Sequence, residues 1–476
     1  MVANGSRRGR CPVNDELIAA RIDRLPVSRF HRRLLLLVSL PFFFDISDIF
    51  TFSYAAPALV KEWGLTMSSI AMLTSAGFFG MFLGATLGGM LSDKIGRKRA
   101  LICYVIAYSV FSLANALAPD IPMLMITRVL TGVGISSATA VVMAYIAELF
   151  PAKTRGTWQS WAMVIALMGI PITSWVARLV VPSGPDGWRW IFVWGALGIV
   201  FLVFTKHFPE SPRWLARQGR MEEADRTLSL IEAEVVRTTG PLPEAVAINR
   251  PAEVRAPWTS MFKGQYIGRT MTLWAIWIFQ TLGFYGFQAW VPTLLVQHGI
   301  TIVHSLTYIT LINIGAVPGA LIAVFLADRF ERKFSIAGAA ALIAVFGLLY
   351  GLSFQPVLIV SFGFLVGMLI QTFAALCYAY TPEQYPTDIR NTGAGFAYGM
   401  GRLANVGNSF IVAGIFMNFG YVWVFVYIAG AWLATAAVTL LFGARTTGRR
   451  LESINPVLAQ AADNPLDAPI LRPGDR

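Results

Sequence analysis

The chain has 476 residues, of which 56% are hydrophobic and only 13% are charged, and its mean hydropathy is +0.60. A soluble globular chain carries about 25% charged residues, so this composition excludes an ordinary soluble protein and indicates several membrane spans. The net charge of +12 does not indicate nucleic-acid binding. The Lys and Arg residues lie in tails and short loops between apolar runs, as in cytoplasmic segments that flank a membrane.

The first 33 residues are polar and basic and lack the short apolar core of a cleaved signal peptide, which predicts a cytoplasmic N-terminal tail, 1–33. Twelve apolar runs follow, each close to the roughly 20 residues that cross a bilayer. The predicted spans are 34–59, 70–91, 100–118, 123–147, 158–180, 190–208, 268–296, 305–327, 334–353, 357–380, 393–417 and 421–443.

A polar, charge-rich segment, 209–265, separates the sixth span from the seventh. Its amphipathic pattern at 217–228 predicts an intracellular linker with helices that act as a lid; a plain linker is the alternative. The proline-containing segment 444–476 is predicted to be a disordered cytoplasmic tail. Because Lys and Arg are concentrated on the side of the two tails, both termini are predicted in the cytoplasm and the protein in the cell (inner) membrane.

An internal repeat relates the first six spans to the last six. Charged and aromatic residues recur at one constant offset of 235 positions (328 − 93 = 235). The recurring pairs include Asp93 and Asp328, Arg97 and Arg332, Tyr145 and Tyr380, Glu148 and Glu383, and Arg155 and Arg390. Parallel repeats of this kind occur in transporters. The repeat predicts an all-α membrane protein of two six-helix halves, 34–208 and 266–443.

Four charges near the middle of the predicted spans are not repeated. Asp45, Asp48 and Arg128 correspond to Gln280, Gly283 and Gly363, and Arg402 corresponds to Leu167. An ionised side chain at the bilayer centre costs about 2.5 to 3.5 kcal/mol on insertion scales, so each of these four needs a functional reason. They are the candidates for substrate and coupling chemistry.

Cofactor chemistry finds no support in the sequence. The three cysteines and four histidines show no metal-ligand spacing, and the phosphate loop GxxxxGK[ST] is absent. The sequence therefore predicts no metal, no cofactor, no ATP-driven step and no enzyme activity.

Three segments carry a resemblance to a known family: GATLGGMLSDKIGRKR at 84–99, AELFPAKTRG at 147–156 and PESPRWL at 209–215. They resemble signatures of the major facilitator superfamily and of its sugar-porter-like branch. The resemblance covers residues 20–445 or so and implies the major facilitator fold of twelve transmembrane helices.

The seventh span bears on the substrate. Sugar porters usually show a glutamine pair followed by glycine and asparagine there, whereas this chain has FQTLGFYG at 279–286. The stretch FYGFQAWVP at 284–292 and the tail RIDRLPVSRF at 21–30 look more like the bacterial metabolite:proton symporters that carry nicotinate and aromatic acids.

Asp45 and Asp48 are three residues apart and therefore lie on one helix face. They are the only carboxylates predicted near mid-span. Since no Lys, Glu or His is predicted there either, they are the only candidates for carrying protons through a side chain. Resemblance to sugar porters implies that Asp48 pairs with Arg128 and couples proton binding to transport. A static buried pair is the alternative, and Asp45 is either a proton relay or a solvated cavity residue.

A second group of residues is predicted to bind substrate. A guanidinium near mid-span, Arg402, matches a bidentate carboxylate, although pairing with an acid or with helix-end carbonyls elsewhere is the alternative. Aromatic and amide side chains are predicted to complete the site, with packing between helices as the alternative for each. They are Gln280, Tyr285, Phe284, Trp161, Tyr378 and Asn405.

The repeated charges at cytoplasmic helix ends are predicted to form a gate that latches the halves when the inside is closed; positive-inside topology alone is the alternative. The predicted gate residues are Asp93, Arg97, Glu148, Arg155, Asp328, Arg332, Glu383 and Arg390.

The sequence as a whole predicts a secondary transporter that imports a small aromatic carboxylate, with nicotinate the leading candidate, by proton symport and alternating access. The expected partners are the organic acid, protons and the lipid bilayer, with no nucleic acid, and the expected state is a monomer. The alternatives are a sugar or polyol porter, an organic-cation or drug carrier, and a receptor built on a transporter scaffold.

Overall fold

The computed structural model describes residues 12–151, 154–245, 258–386 and 389–446, and these residues form helices and connecting loops without any strand. The chain divides into two compact units, Met1–Arg250 and Pro251–Arg476. The predicted disordered tail falls mostly beyond residue 446 and so lies outside the described residues.

Unit 1 consists of ten α-helices and two 3₁₀ segments, Val181–Ser183 and Leu197–His207, among the described residues. The helices are α1 Pro12–Asp23, α2 Arg29–Trp63, α3 Met67–Ile95, α4 Arg97–Ala116, α5 Ile121–Leu149, α6 Arg155–Leu167, α7 Gly169–Val180, α8 Gly187–Ala196, α9 Pro212–Arg217 and α10 Met221–Thr239. Helix α2 packs against α5, α6, α7 and α8, and α4 packs against α5 and α8.

Unit 2 contributes eight further α-helices to the described chain. They are α11 Gln265–Gln288, α12 Val291–Gln297, α13 Ile302–Ile314, α14 Ala316–Arg329, α15 Arg332–Leu352, α16 Pro356–Glu383, α17 Arg390–Phe419 and α18 Tyr421–Phe442. Helix α11 packs against both α17 and α18.

Ten helical segments of the described chain are long and apolar enough to cross a membrane. The seventh and eleventh predicted spans correspond to α11 and α17, which are helical over 24 and 30 residues but are not among these ten. Both helices carry the polar residues predicted to bind substrate, and polar side chains lower the hydropathy of a span. These polar residues account for part of the lower hydropathy of the two helices.

Several predicted spans are broken in the structure. The predicted span 158–180 forms α6 and α7, which meet at Met168. A Cβ at Gly169 would lie 2.7 Å from the Phe43 carbonyl oxygen, so the absent side chain lets α7 approach α2 closely at this point. The predicted lid helix 217–228 is also divided, because Gly219 adopts a positive φ of 76° between α9 and α10.

The predicted N-terminal tail contains a folded helix. Helix α1 buries Ile18 and Ile22 against Trp214 of α9 and Leu228 of α10. Ion pairs reinforce the contact: Arg21 and Arg24 each place a guanidinium nitrogen 2.7 Å from the Glu232 carboxylate. The N-terminal segment and the linker therefore form one small helical cluster within unit 1.

The offset of 235 found in the sequence also relates contacts inside the two units. Ser137 donates a hydrogen bond to the Gly84 carbonyl at 3.0 Å, and Thr372 donates to the Gly319 carbonyl at 2.9 Å. Both residues of the second bond are 235 positions after those of the first. In each pair a helix backbone approaches a neighbouring helix at a glycine, so the repeat extends to helix packing.

Candidate functional site

Asp48 lies at the junction of three helices of unit 1. Its side chain is fully buried, and the Ser112 hydroxyl on α4 lies 2.5 Å from Asp48 Oδ1. On α8, a Cβ at Gly195 would lie 2.0 Å from the same oxygen. Glycine at this position therefore provides the space that the carboxyl group occupies.

Arg128 on α5 faces the same region. Asp48 and Arg128 both line a small cavity on the order of one water molecule in size, together with residues of α3 and α5. No ion pair within 4.0 Å joins these two side chains, and the Arg128 guanidinium lies 5.0 Å from the centre of the Phe52 ring. The sequence-predicted partners are thus neighbours across a cavity.

Two polar atoms of this group are buried and have no hydrogen-bond partner in the described residues: Asp48 Oδ2 and Arg128 Nε. An unsatisfied buried charge is costly, so a water in the cavity or a proton on the carboxyl group would each lower the energy. Glycine again provides the room, since a Cβ at Gly77 would lie 2.7 Å from Arg128 Nη2.

Asp45 lies one turn earlier on α2 and is fully buried. The Thr139 hydroxyl donates to its Oδ2 at 3.4 Å, while Oδ1 has no partner in the described residues. The phenol group of Tyr108 interacts electrostatically with both Asp45 and Asp48. The cluster of Asp45, Asp48 and Arg128 therefore contains two carboxyl groups and one guanidinium, so one carboxyl group has no counter-charge within the cluster.

The predicted substrate residues of unit 2 lie mainly on α11, α16 and α17. Arg402 is partly buried and lies near the phenol groups of Tyr285 and Tyr378. A Cβ at the neighbouring Gly401 would lie 2.7 Å from the Thr281 hydroxyl, so this glycine lets α17 approach α11. The structure thereby brings three sequence-predicted residues together.

Further aromatic rings pack against Tyr378 and Tyr285. Tyr378 packs against Trp277 and Tyr398, with ring centroids 5.0 and 5.2 Å apart, and Phe284 packs edge-on against Tyr285 at 4.7 Å. The sequence analysis did not select Trp277 or Tyr398. The available signal was helical spacing, which places residues four or seven apart on the same face of a helix. Trp277 is seven residues before Phe284, and Tyr398 is four residues before Arg402.

The predicted amide residues have different surroundings. Gln280 donates to the Thr281 hydroxyl at 2.7 Å. Asn405 Oδ1 accepts a bond from Asn408 at 3.1 Å, whereas Asn405 Nδ2 is buried and has no partner within the described residues. Trp161 lies on α6 of unit 1 and is 55% exposed. A substrate role for each of these residues stays a prediction.

The predicted gate residues form ion pairs within each unit. Arg97 lies 2.6 Å from Asp93 and 2.9 Å from Glu148, and Arg332 contacts Glu383 at the equivalent position of unit 2. Arg155 is exposed, Arg390 donates to the Tyr385 carbonyl at 3.4 Å, and the Asp328 side chain lies outside the described residues. The latch role stays a prediction.

Glu210 is a polar residue of this region that the sequence analysis did not assign. Its Oε1 accepts hydrogen bonds from the backbone N–H groups of Arg97, Lys98 and Ser211 at 2.8 to 3.1 Å. A carboxylate at the start of α4 satisfies free N–H groups and interacts favourably with the helix dipole. Glu210 belongs to the segment PESPRWL, which the sequence analysis used only for the family resemblance. The presence of Glu210 in this motif was the signal that could have identified it.

Two repeated helical units, many apolar spans and charges enclosed within them are the features of a multi-pass membrane protein of the major facilitator type. The chain belongs to the family described as sugar (and other) transporter, whose model matches residues 46–458.

Relatives with assigned names extend over almost the whole chain. The chain is 44% identical over 435 residues to the putative metabolite transport protein YyaJ of Bacillus subtilis, covering 91% of this chain and 96% of the relative. It is 31% identical over 441 residues to the niacin transporter NiaP of Acinetobacter baylyi, covering 92% and 99%. The inward-open structure of the xylose transporter XylE from E. coli is similar with a TM-score of 0.72 at 21% identity, covering 89% and 99%, which supports the fold alone.

Proposed function

We propose that the protein imports a small aromatic carboxylate, with nicotinate the leading substrate, together with protons. The observation that carries this proposal is the pair of buried side chains Asp48 and Arg128 on one water-sized cavity, each with a polar atom that lacks a partner in the described residues. Such a carboxyl group changes its interactions when it gains or loses a proton. A completely paired structural ion pair would resist that change.

The coupling step is a change of charge in unit 1. When Asp48 is ionised, it offsets the positive charge of Arg128 across the cavity; when it is protonated, Arg128 loses that counter-charge. Each state favours a different arrangement of the surrounding helices, and proton binding thereby shifts the populations that expose the substrate site to each side. Asp45, which has only one weak hydrogen bond, is proposed as a second proton-binding group.

The driving force depends on the number of protons. One proton with one monovalent anion is electroneutral, so the pH gradient alone drives accumulation by about tenfold per pH unit. A second proton makes the cycle electrogenic and adds about 2.3 kcal/mol per 100 mV. The two buried carboxyl groups, Asp45 and Asp48, provide binding groups for a cycle with two protons per anion.

Substrate recognition is proposed at Arg402 and the aromatic rings near it. A guanidinium suits a carboxylate by charge and by paired N–H groups, and the rings of Tyr285 and Tyr378 suit a flat substrate. The relative named as a niacin transporter supports this choice, since niacin is the same flat carboxylate. We further propose the cell inner membrane as the location, cytoplasmic termini and a monomeric state.

The deciding experiment is uptake of radiolabelled nicotinate into proteoliposomes with and without an inward pH gradient. Uptake should exceed that of empty liposomes, rise with the gradient and be inhibited by unlabelled nicotinate more than by nicotinamide, which has the same ring without the charge. Xylose and a quaternary ammonium ion serve as competitors for the sugar and cation alternatives. Uptake that ignores the pH gradient, or that nicotinamide inhibits equally, would overturn the proposal.

The contribution of a second proton is measured in the same vesicles by imposing a potassium diffusion potential with valinomycin at equal pH. Accumulation driven by an inside-negative potential indicates more than one proton per anion. An absence of response indicates the electroneutral cycle.

A further inference from the structure

We propose that Ser112 is a positioning residue for proton coupling: its hydroxyl holds one oxygen of the Asp48 carboxyl group, and the other oxygen, which has no partner in the described residues, receives the proton. The inference rests on the proposed function and deepens it. It assigns a role to a residue of α4 that is not one of the charged groups.

The two oxygens of the Asp48 carboxyl group differ in their surroundings. Oδ1 accepts the hydrogen bond from Ser112 at 2.5 Å, whereas Oδ2 is buried and has no partner among the described residues. An oxygen that accepts a short hydrogen bond is the less favourable place for a proton, since the donor hydrogen already occupies that lone-pair direction. The proton therefore binds Oδ2.

Ser112 has a second acceptor within reach, the Phe192 carbonyl oxygen on α8 at 3.0 Å. A hydroxyl group has one hydrogen, so it serves one of the two acceptors at a time or shares it unequally. An ionised carboxylate is the stronger acceptor and takes the hydrogen. After protonation at Oδ2 the neutral acid is the weaker acceptor, so Ser112 shares its hydrogen more evenly with Phe192, and its bond to Oδ1 weakens without being lost.

The repeat supports a role for Ser112 in the chemistry of unit 1. The positions equivalent to Asp48, Ser112 and Arg128 are Gly283, Gly347 and Gly363. All three polar residues are thus absent from the equivalent places of unit 2, whereas the hydroxyl groups that hold helices together are repeated, as Ser137 and Thr372 show. Like the charged residues, Ser112 occurs only in unit 1, whereas the helix-packing hydroxyl groups occur in both units.

The other titratable groups near Asp48 come from three helices. They are Asp45 on α2, Tyr108 on α4 and Arg128 on α5. On α8, the only charged residue is Arg189, which bonds to Asp186 and to the Ala116 carbonyl oxygen at 2.7 Å each. Two hydroxyl groups are also close: Ser112 donates to the carboxyl group itself, and Thr51 on α2 donates to the Asp48 backbone carbonyl oxygen at 2.8 Å.

The test measures protonation of Asp48 without substrate. Infrared difference spectra of the purified protein during a pH titration should show a carboxylic acid C=O band that disappears in Asp48→Asn. In Ser112→Ala the band should move to higher frequency, because its C=O oxygen loses a hydrogen bond. It should also appear at a pH about one unit higher, because a hydrogen bond to the charged form is lost.

The controls separate positioning from a loss of fold. Ser112→Thr keeps a hydroxyl and should restore the wild-type band position, whereas Ser39→Ala removes a fully buried hydroxyl on α2 that has no partner in the described chain and should leave the titration unchanged. An unshifted band in Ser112→Ala would overturn the inference.

The outcome is independent of the substrate. If wild-type protein shows the Asp48 band and the Ser112 effect but transports no nicotinate, the proposed substrate fails and the positioning role stands. If nicotinate uptake is proton-coupled and Ser112→Ala titrates like wild type, the positioning role fails and the proposed function stands.

Discussion

The two units share a helix-packing scaffold and differ in what fills it. A Cβ at Gly84 or at Gly319 would lie 2.3 or 2.1 Å from the carbonyl oxygen of a neighbouring helix, Val133 in one unit and Met368 in the other. These four residues are related by the same offset of 235. The backbone contacts were therefore duplicated, and only unit 1 has a charged cluster at the places where unit 2 has glycine.

The small and the large residue of a facing pair exchange places between the two units. In unit 1, Gly77 makes room for the Arg128 guanidinium. In unit 2 the equivalent residues are Ile312 and Gly363, so the large side chain is on the other helix. Ile312 Cδ1 lies 2.4 Å from where a Cβ at Gly363 would lie. The site opposite Gly283 is filled by Trp432. Unit 2 thus has an apolar core where unit 1 has the proposed coupling site, so changes there test chemistry in one unit and packing in the other.

The largest effect is expected from removing the proton-binding group of unit 1. Asp48→Asn keeps the shape of the side chain but cannot bind and release a proton, so nicotinate accumulation driven by a pH gradient should fall to the level of empty liposomes. Exchange of labelled for unlabelled nicotinate at equal pH should persist, since it needs no net proton movement. Equal loss of both activities would indicate a structural role for Asp48.

A somewhat smaller effect is expected from the unrepeated charge of unit 2. Arg402→Ala should raise the KM for nicotinate by about 10- to 100-fold, because a hydrogen-bonded charge contact contributes about 1.5 to 3 kcal/mol. Inhibition by nicotinamide should change little. A matched control is Arg226→Ala, which removes an exposed guanidinium on α10 of unit 1. Equal weakening of nicotinate and nicotinamide would argue against a carboxylate contact.

The glycine that accommodates Arg128 offers an intermediate test. In Gly77→Ala, the new methyl group displaces the guanidinium, and the rate of proton-driven uptake should fall about tenfold while the amount of folded protein stays near wild type. Gly89→Ala on the same helix is the control, since nothing lies within 4 Å of a Cβ there and alanine favours a helix. Unchanged uptake in Gly77→Ala would mean that the position of Arg128 is not critical.

The smallest effect concerns the cluster that α1, α9 and α10 form in unit 1. Burial would raise the pKa of Glu232, but the hydrogen bonds from Arg21 and Arg24 outweigh it, so its pKa lies below the ordinary value. This contribution to stability is present above the pKa of an unfolded glutamate and is lost as the pH falls through the lower folded value. Protection of α1 from amide exchange should therefore decrease in acid.

Glu232→Gln should lower that protection already at neutral pH and flatten its dependence on pH. Glu222→Gln, an exposed position of the same helix, should behave like the wild type. An α1 segment whose exchange is insensitive to Glu232 would show that apolar contacts alone hold it.

Much of the fold was predictable because spans in a bilayer must be long, apolar and hydrogen-bonded within themselves. The offset of 235 predicted two equivalent halves, and the structure shows the equivalent contacts of Ser137 and Thr372 at matching positions. The helix breaks at Met168 and Gly219 were not predicted, because they depend on close backbone approach and on a positive φ. Helix α1 was missed because its amphipathic face becomes visible only against α9 and α10.

The sequence by itself determined the family, the repeat and the four unrepeated charges, because charges within apolar runs are expensive and therefore visible. Only the tertiary structure decided how they are surrounded: Arg128 lies across a cavity from Asp48 without an ion pair, and Ser112, an ordinary serine in the sequence, makes the direct contact. A hydroxyl group carries no compositional cost that marks it in advance. Its importance depends on the carboxyl group that packing places beside it.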